Sequence, residues 1–260
     1  MASKYGLVEG QIVASNKTGK YRVLSFEPEG KVKLRSLDCG NEVILHRSNA
    51  SKGTISNKLY PTVFGKGSLG YGEYKSRNGT DEPKNKYYSV WENMLARCYY
   101  PKTSRFSAYG GRGVTVCDEW LNLQNFAKWF EDNYIEGFHL DKDILGDGMQ
   151  YNPVVCRFIP QEVNGVLVDN TCNRGKDSGL PTGVSKTRGS YQSTLNVTYT
   201  NGERFNSTSI KAVMVFYKKN KTRAVHEVLE RCKDIIPVDI YNKLKNYSFK
   251  YPKEVINEHF

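Results

Sequence analysis

The sequence predicts an α+β protein built from several small modules, and three stretches support this prediction. Residues 1–72 contain short alternating runs separated by turn residues, which is typical of a small barrel-like β-sheet. Residues 80–168 combine amphipathic helix patterns with a strand–turn–strand–helix pattern at 140–164. Residues 178–234 predict a three-stranded sheet followed by a helix, and residues 235–260 form a C-terminal tail.

Composition points to a polyanionic partner. The 260 residues carry a formal net charge of +11, a balance most often found in proteins that bind nucleic acid. The alternative is a basic, solvated surface without a partner. No run of 18 apolar residues and no N-terminal apolar signal region occur, so we expect a soluble cytoplasmic protein that does not enter a membrane.

The first module is predicted from four runs of strand character, at 11–13, 21–26, 31–37 and 42–45. Turn residues at 16–19, 28–30 and 39–41 separate these runs. The outward cations either contact phosphate or form a solvated face; they are Lys17, Lys20, Arg22, Lys33 and Arg35. Residues 65–79 are rich in glycine, but no GK[ST] or strand-to-helix junction follows, so a linker is predicted and a phosphate loop is not.

The next module begins with a helix pattern at 87–99. Its apolar residues fall on one helical face, namely Tyr88, Trp91, Met94, Leu95 and Cys98. The segment YGGRGVTVCDEW follows at 109–120, where a tight glycine turn presents Arg112 and Asp118 can cap a helix through 121–130. Arg112 is a candidate clamp for phosphate or carboxylate, and the alternative is a structural pair with Asp118 or Asp141.

The stretch LDKDILGDGMQYNPVVCRFIPQEVN at 140–164 organises this module. Asp141 and Asp143 alternate along a predicted strand, so both carboxylates are expected on the same face. A Gly-Asp-Gly turn at 146–148 and a second strand ending at Cys156 would complete a hairpin. Pro160 suits the first position of a helix, which places Asn164 about one turn further on.

Six cysteines are scattered along the chain without any C-x-x-C pair, which favours reduced, buried thiols over a disulfide scaffold. A structural Zn²⁺ site formed over long sequence distances is the alternative. Its candidate ligands are Cys98, Cys117 and Cys156, with Cys172 as a further one.

The last module is predicted from two strand runs joined by an Asn201-Gly202 hairpin, one earlier strand, and a helix from about residue 209 to 232. Along the middle strand, Tyr191, Ser193, Leu195 and Val197 share one face. Gln192, Thr194 and Asn196 share the other face.

The strand–turn–strand–helix pattern with its acids and its helix amide resembles the ββα-metal core of HNH nucleases. The motifs YGGRGVTVC, LDKDIL and YNPVVC, with the following asparagine, more closely resemble HNH-like proteins of bacteriophages. This resemblance implies metal-dependent hydrolysis of DNA in a host cytoplasm, with Mg²⁺ or Mn²⁺ held by Asp141, Asp143 and Asn164. Lys142 completes the implied catalytic set, but it stands where the nucleases carry a histidine general base.

The Gly-Val-Ser start, three strands and helix of the last module are similar to the APETALA-type DNA-binding domain of plant ethylene-response factors and phage homing endonucleases. That resemblance implies that the sheet contacts double-stranded DNA. The residues it selects are Lys186, Arg188, Gln192, Thr194 and Arg204. Outward arginines are fewer here than in the plant members, so contact with phosphates is a safer expectation than base reading.

Three classes of function stay open at this stage. A metal-dependent endonuclease predicts that Asp141 and Asp143 converge on a cleft with Asn164. A DNA-binding protein on an HNH-like core without catalysis predicts a basic face and acids held by Arg112 or Lys142. A purely structural interpretation treats the run 141–143 as an internal ion-pair network.

Overall fold

The computed structural model describes residues 5–167, 179–194 and 203–259, and it confirms a mixed α+β architecture with several small sheets. Two compact units are present. The first comprises Met1–Asp132 with Met149–Asn152, and the second comprises Asn133–Gly148 with Pro153–Phe260. Cys172 and the predicted Asn201-Gly202 hairpin lie outside the described residues.

The first unit opens with a four-stranded antiparallel sheet in the order β1-β2-β3-β4, formed by β1 (Ile12–Ala14), β2 (Lys20–Glu27), β3 (Lys31–Ser36) and β4 (Glu42–His46). These strands lie within one residue of the predicted runs at each end. The short helix α1 (Arg47–Ser51) follows β4. Alternate side chains of the strands are buried, since Tyr21, Val23, Val32 and Leu34 all lie in one apolar cluster.

The remainder of the first unit is helical around a tryptophan-rich core. Helix α2 (Lys86–Tyr99) buries all five predicted apolar residues, and helix α3 (Leu123–Asn133) follows a 3-10 turn at Asp118–Leu121. Trp91 Nε1 donates a 2.7 Å hydrogen bond to the Trp120 carbonyl. The prediction that Asp118 caps α3 is wrong, because the Asn122 side chain accepts from the Gln124 N–H at 3.0 Å and takes that role.

Two short strands complete this unit. β5 (Thr115–Val116) pairs in parallel with β7 (Gln150–Tyr151). The pairing takes the middle of the 140–164 stretch away from the hairpin that the sequence predicts.

The second unit contains a strand–strand–helix element. β6 (His139–Asp141) pairs antiparallel with β8 (Arg157–Ile159), and α4 (Gln161–Leu167) follows. The predicted second strand ending at Cys156 is therefore wrong, because the paired strand begins only at Arg157. Pro160 lies directly before α4 and not at its first position; its carbonyl accepts from the Val163 and Asn164 N–H groups at 3.1 and 3.2 Å.

A three-stranded antiparallel sheet and a long helix form the rest of the second unit. The strand order is β11-β10-β9, formed by β9 (Ser185–Thr187), β10 (Ser190–Thr194) and β11 (Arg204–Ser207). Helix α5 (Ile210–Cys232) begins at the Ser209 side chain, which accepts from the Ala212 N–H. Phe205 stacks on Phe216 at 5.0 Å between ring centroids, so one face of the sheet rests on α5.

Helix α5 takes part in two apolar clusters. Near its start, Met214 and Tyr217 pack with Phe249 and Tyr251. Towards its end, the helix packs on α4 and on α6 (Val238–Leu244), and α7 (Lys253–His259) closes the described chain. The sequence places a module boundary between residues 168 and 178. In the structure, α4 before this boundary and β10 after it both pack against α5. Within the three described ranges, no helix is long and apolar enough to cross a bilayer.

Candidate functional site

Asp141 lies at the end of β6 with only 5% of its surface exposed. Its Oδ2 accepts hydrogen bonds from the backbone N–H groups of Asp143 and Ile144, both at 3.0 Å. Burial raises the pKa of this carboxyl above its ordinary value, while the hydrogen bond from Ile144 opposes that shift. The carboxylate therefore holds a backbone turn in place.

Lys142 and Asp143 form an ion pair on the other side of this turn. The Lys142 side chain is 5% exposed, and its Nζ lies 2.7 Å from Asp143 Oδ1, whereas the Asp143 side chain is 63% exposed. The expectation that Asp141 and Asp143 share one face is wrong, because β6 ends at Asp141 and the chain then turns. Gly148, at φ +76°, lets Asp143 fold over it, since an added Cβ would collide with Asp143 Oδ1.

Asn164 lies in the first turn and a half of α4 and is half-buried. The residues 141–143 do not fit a divalent metal as they are arranged. One oxygen of Asp141 is used by two N–H groups, and the Lys142 ammonium occupies the position beside Asp143 where a cation would bind. Among the described residues, no group of three or more His, Cys, Asp or Glu side chains is placed to hold a metal ion.

The cysteines of the described chain are free thiols. Cys98 and Cys156 are buried and Cys117 is half-buried. Burial raises the pKa of the Cys117 thiol above its ordinary value. The Zn²⁺ hypothesis thus gains no cluster from the described residues, and Cys172 lies outside them.

The face of the C-terminal sheet opposite α5 carries three of the predicted DNA-binding residues. Thr194 pairs with Arg204 and Gln192 pairs with Asn206, so these four side chains form two adjacent rows. Thr194, Arg204 and Asn206 are exposed, and Gln192 is half-buried. The sequence reasoning missed Asn206, although its two-residue spacing from Arg204 indicates the same face. We call these four residues the outer sheet face.

Lys186 and Arg188 do not belong to the outer sheet face. Lys186 pairs with Tyr191, which shares the face of Phe205, so its inclusion with the outward residues of the sheet is wrong. Its side chain is exposed all the same, at the edge strand β9. Arg188 is exposed in the two-residue turn that joins β9 to β10, where Gly189 adopts φ +72°.

Arg112 ends a 3-10 turn at Gly110–Arg112 and is exposed. Within the described part of its own unit, its side chain has no hydrogen bond or ion pair, so the predicted alternative of a pair with Asp118 is not formed. The cations of the N-terminal sheet differ, because Lys33 and Arg35 bind Glu42 at 2.7 and 2.5 Å. These two hydrogen bonds lower the pKa of Glu42.

In comparisons with known proteins, no family model, no curated protein and no solved structure matches this chain.

Proposed function

We propose that this protein binds double-stranded DNA through the outer sheet face. The observation that carries the proposal is the chemistry of that face. Every described outward position of the three strands is polar and none is acidic; the positions are Ser185, Thr187, Ser190, Gln192, Thr194, Arg204 and Asn206. The face therefore offers hydrogen-bonding groups and the Arg204 guanidinium, and none of its strand positions carries a negative charge that would repel phosphate.

The side chains of this face suit the edges of bases and the phosphates beside them. Gln192 and Asn206 lie opposite each other, and glutamine and asparagine amides can form paired hydrogen bonds with adenine. Arg204 can bind guanine or a phosphate through its planar guanidinium. A narrow antiparallel sheet fits the major groove, and the net charge of +11 supplies long-range attraction to DNA.

We expect Arg204→Ala to weaken binding to duplex DNA by about 10-fold, because one charged contact is worth on the order of 1–3 kcal/mol. Gln192→Ala combined with Asn206→Ala should reduce discrimination between duplex sequences more than it reduces overall affinity. Fluorescence anisotropy with a panel of labelled duplexes measures both effects.

Lys128→Ala is the matched control, because it removes one exposed charge from α3. If Arg204→Ala and the double variant bind duplex DNA with the same affinity and discrimination as Lys128→Ala, the outer sheet face does not contact DNA.

Metal-dependent hydrolysis of DNA is a second candidate, and one observation favours it. The order β6, β8, α4, with Asp141 ending the first strand and Asn164 in the helix, follows the ββα pattern of the HNH nucleases that the sequence resembles. The ion pair between Lys142 and Asp143 weighs against it. We therefore propose a phage-type DNA-binding protein on an HNH-like core that has lost catalysis.

A plasmid-cleavage assay with Mg²⁺ and Mn²⁺ decides between these two candidates. We expect no metal-dependent nicking by the wild-type protein. Nicking that is lost in both Asp143→Asn and Asn164→Ala would instead establish the endonuclease. These two positions are preferred to Asp141, whose replacement is expected to destabilise the fold.

A further inference from the structure

We propose that the first unit carries a second DNA-contacting surface, which binds the phosphodiester backbone without reading sequence. The surface, here called the basic turn, consists of Lys66, Lys102, Arg105 and Arg112. The proposal rests on the proposed function, because it assigns a further contact with duplex DNA to this protein. The sequence suggests Arg112 as a phosphate clamp and places Lys66 on a linker that could lie on nucleic acid. Lys102 and Arg105 are added from the structure.

Charge is the first support for the basic turn. From residue 93 to residue 117 the chain carries four cations and no acid, the cations being Arg97, Lys102, Arg105 and Arg112. The last three of these are exposed, and none of their side chains has a hydrogen bond or ion pair with a described residue of its own unit. Some other surface cations of this unit are paired with acids, as Lys84 is with Glu92. Unpaired cations retain their full charge for a phosphate.

The backbone places Arg105 and Arg112 on two turns that lie against each other. Successive tight turns run through the segment, with Phe106 N–H donating to the Thr103 carbonyl at 3.1 Å and Arg112 N–H to the Tyr109 carbonyl at 2.9 Å. Gly111 lies over the Phe106 backbone, where an added Cβ would be 3.2 Å from the Phe106 carbonyl oxygen. The turn that carries Arg112 is thereby folded back onto the turn that begins beside Arg105.

A fourth cation comes from a distant part of the chain. Phe64 packs against Tyr100 with ring centroids 5.0 Å apart, and Lys66 Nζ lies 5.9 Å from the centroid of the Tyr99 ring. Arg97 has a different role, because its guanidinium lies 5.5 Å from the Tyr109 ring centroid and hydrogen-bonds the Tyr151 side chain. We assign Arg97 to the support of the turn and not to ligand contact.

The chemistry favours a phosphate backbone over other polyanions. Arg105 precedes one 3-10 turn and Arg112 ends the next. Each guanidinium can bind two oxygens of one phosphate at once. Asp118, just beyond the segment, limits the surface at one end. An acidic protein segment could use the same charges, but the proposed DNA-binding sheet of the same chain makes DNA the ligand to which we commit.

The experiment compares two double variants of the full chain. Arg105→Gln with Arg112→Gln alters the basic turn, and Lys52→Gln with Lys128→Gln removes the same charge from exposed positions elsewhere in the same unit. Binding to two duplexes of unrelated sequence is measured by fluorescence anisotropy over a series of KCl concentrations.

We expect the basic-turn variant to lose about 10-fold or more in affinity, equally for both duplexes. The slope of log affinity against log salt should fall by about 2, because each lost phosphate contact reduces it by roughly 1. The control variant should stay within about twofold of wild type. All three proteins should melt at the same temperature, since the altered side chains are exposed.

The outcomes separate this inference from the proposed function. If Arg204→Ala weakens binding while the basic-turn variant behaves like its control, the basic turn is overturned and the sheet contact stands. If the basic-turn variant loses affinity and the sheet variants do not, the outer sheet face is overturned and the basic turn stands. A wild-type protein that binds neither duplex at low salt overturns both.

Discussion

Replacing Gly110 by alanine is expected to destabilise the first unit by about 3 kcal/mol, the upper end of the usual cost of overpacking. An added Cβ would collide with the Cys98 carbonyl oxygen and would lie 2.5 Å from Phe106 Cε2. The carbonyl belongs to the last turn of α2, so the clash can be relieved only by moving backbone. The same movement would displace the turn that carries Arg112.

Urea unfolding followed by tryptophan fluorescence measures this effect, because all three tryptophans of the chain lie in the first unit. Gly40→Ala is the matched control. Gly40 has φ +72° but no atom within 4 Å of an added Cβ, so only the backbone strain of about 1 kcal/mol is expected there. A Gly110→Ala variant as stable as Gly40→Ala would contradict the close approach to Cys98.

Replacing Asp141 by alanine is expected to destabilise the second unit by about 3 kcal/mol. The change leaves the N–H groups of Asp143 and Ile144 without their acceptor, and each unpaired buried group costs on the order of 1–3 kcal/mol. Asp141→Asn keeps an acceptor oxygen and should cost less. Hydrogen exchange at these two amides measures the loss of stability. We expect the same loss when no metal ion is added.

The same carboxyl gives a pH dependence of defined sign. Burial raises the pKa of Asp141 in the folded state above its unfolded value of about 3.9, so the folded protein binds this proton more tightly than the unfolded chain. Its contribution to stability is complete below the unfolded pKa and is lost as the pH rises through the folded pKa. Relative to Asp141→Asn, the wild type should therefore lose stability over that range.

The free energy of unfolding of wild type and Asp141→Asn is measured from acid pH to pH 7. If both change with pH in the same way, the raised pKa of Asp141 is contradicted. Asp141→Asn could instead be more stable than wild type at neutral pH and still lose hydrogen-exchange protection at the Asp143 amide. That result would show that burying the charged carboxylate destabilises the fold while its hydrogen bonds to the backbone stabilise the turn.

The amphipathic elements were predictable because their periodicity is a local property. All five apolar residues that define the face of α2 are buried, and the four strands of the N-terminal sheet lie where the alternating pattern places them. On the last sheet, the same two-residue period separates Gln192 and Thr194 from Ser193. In each case the side chains that share a face are fixed by the spacing of residues along one element.

The acidic stretch shows where local patterns fail. Alternation predicted a strand through Asp143, but Asp141 ends the strand by accepting two backbone hydrogen bonds, and Gln150–Tyr151 pairs with β5. The pairing with β5 cannot be read from the stretch itself, because β5 lies outside it. Whether a carboxylate is open to a ligand or is used by the backbone depends on which segments pair around it.

By itself, the sequence determined the mixed α+β class, the buried faces of the regular elements and the net basic charge. Only the tertiary structure decided that Gln150–Tyr151 pairs with β5, that Asn206 lies opposite Gln192, and that Lys66 lies beside the Tyr99 ring. The physical reason is that periodicity acts between neighbours in the chain. Strand pairing, strand register and contacts between distant side chains depend on segments that the chain brings together only when it folds.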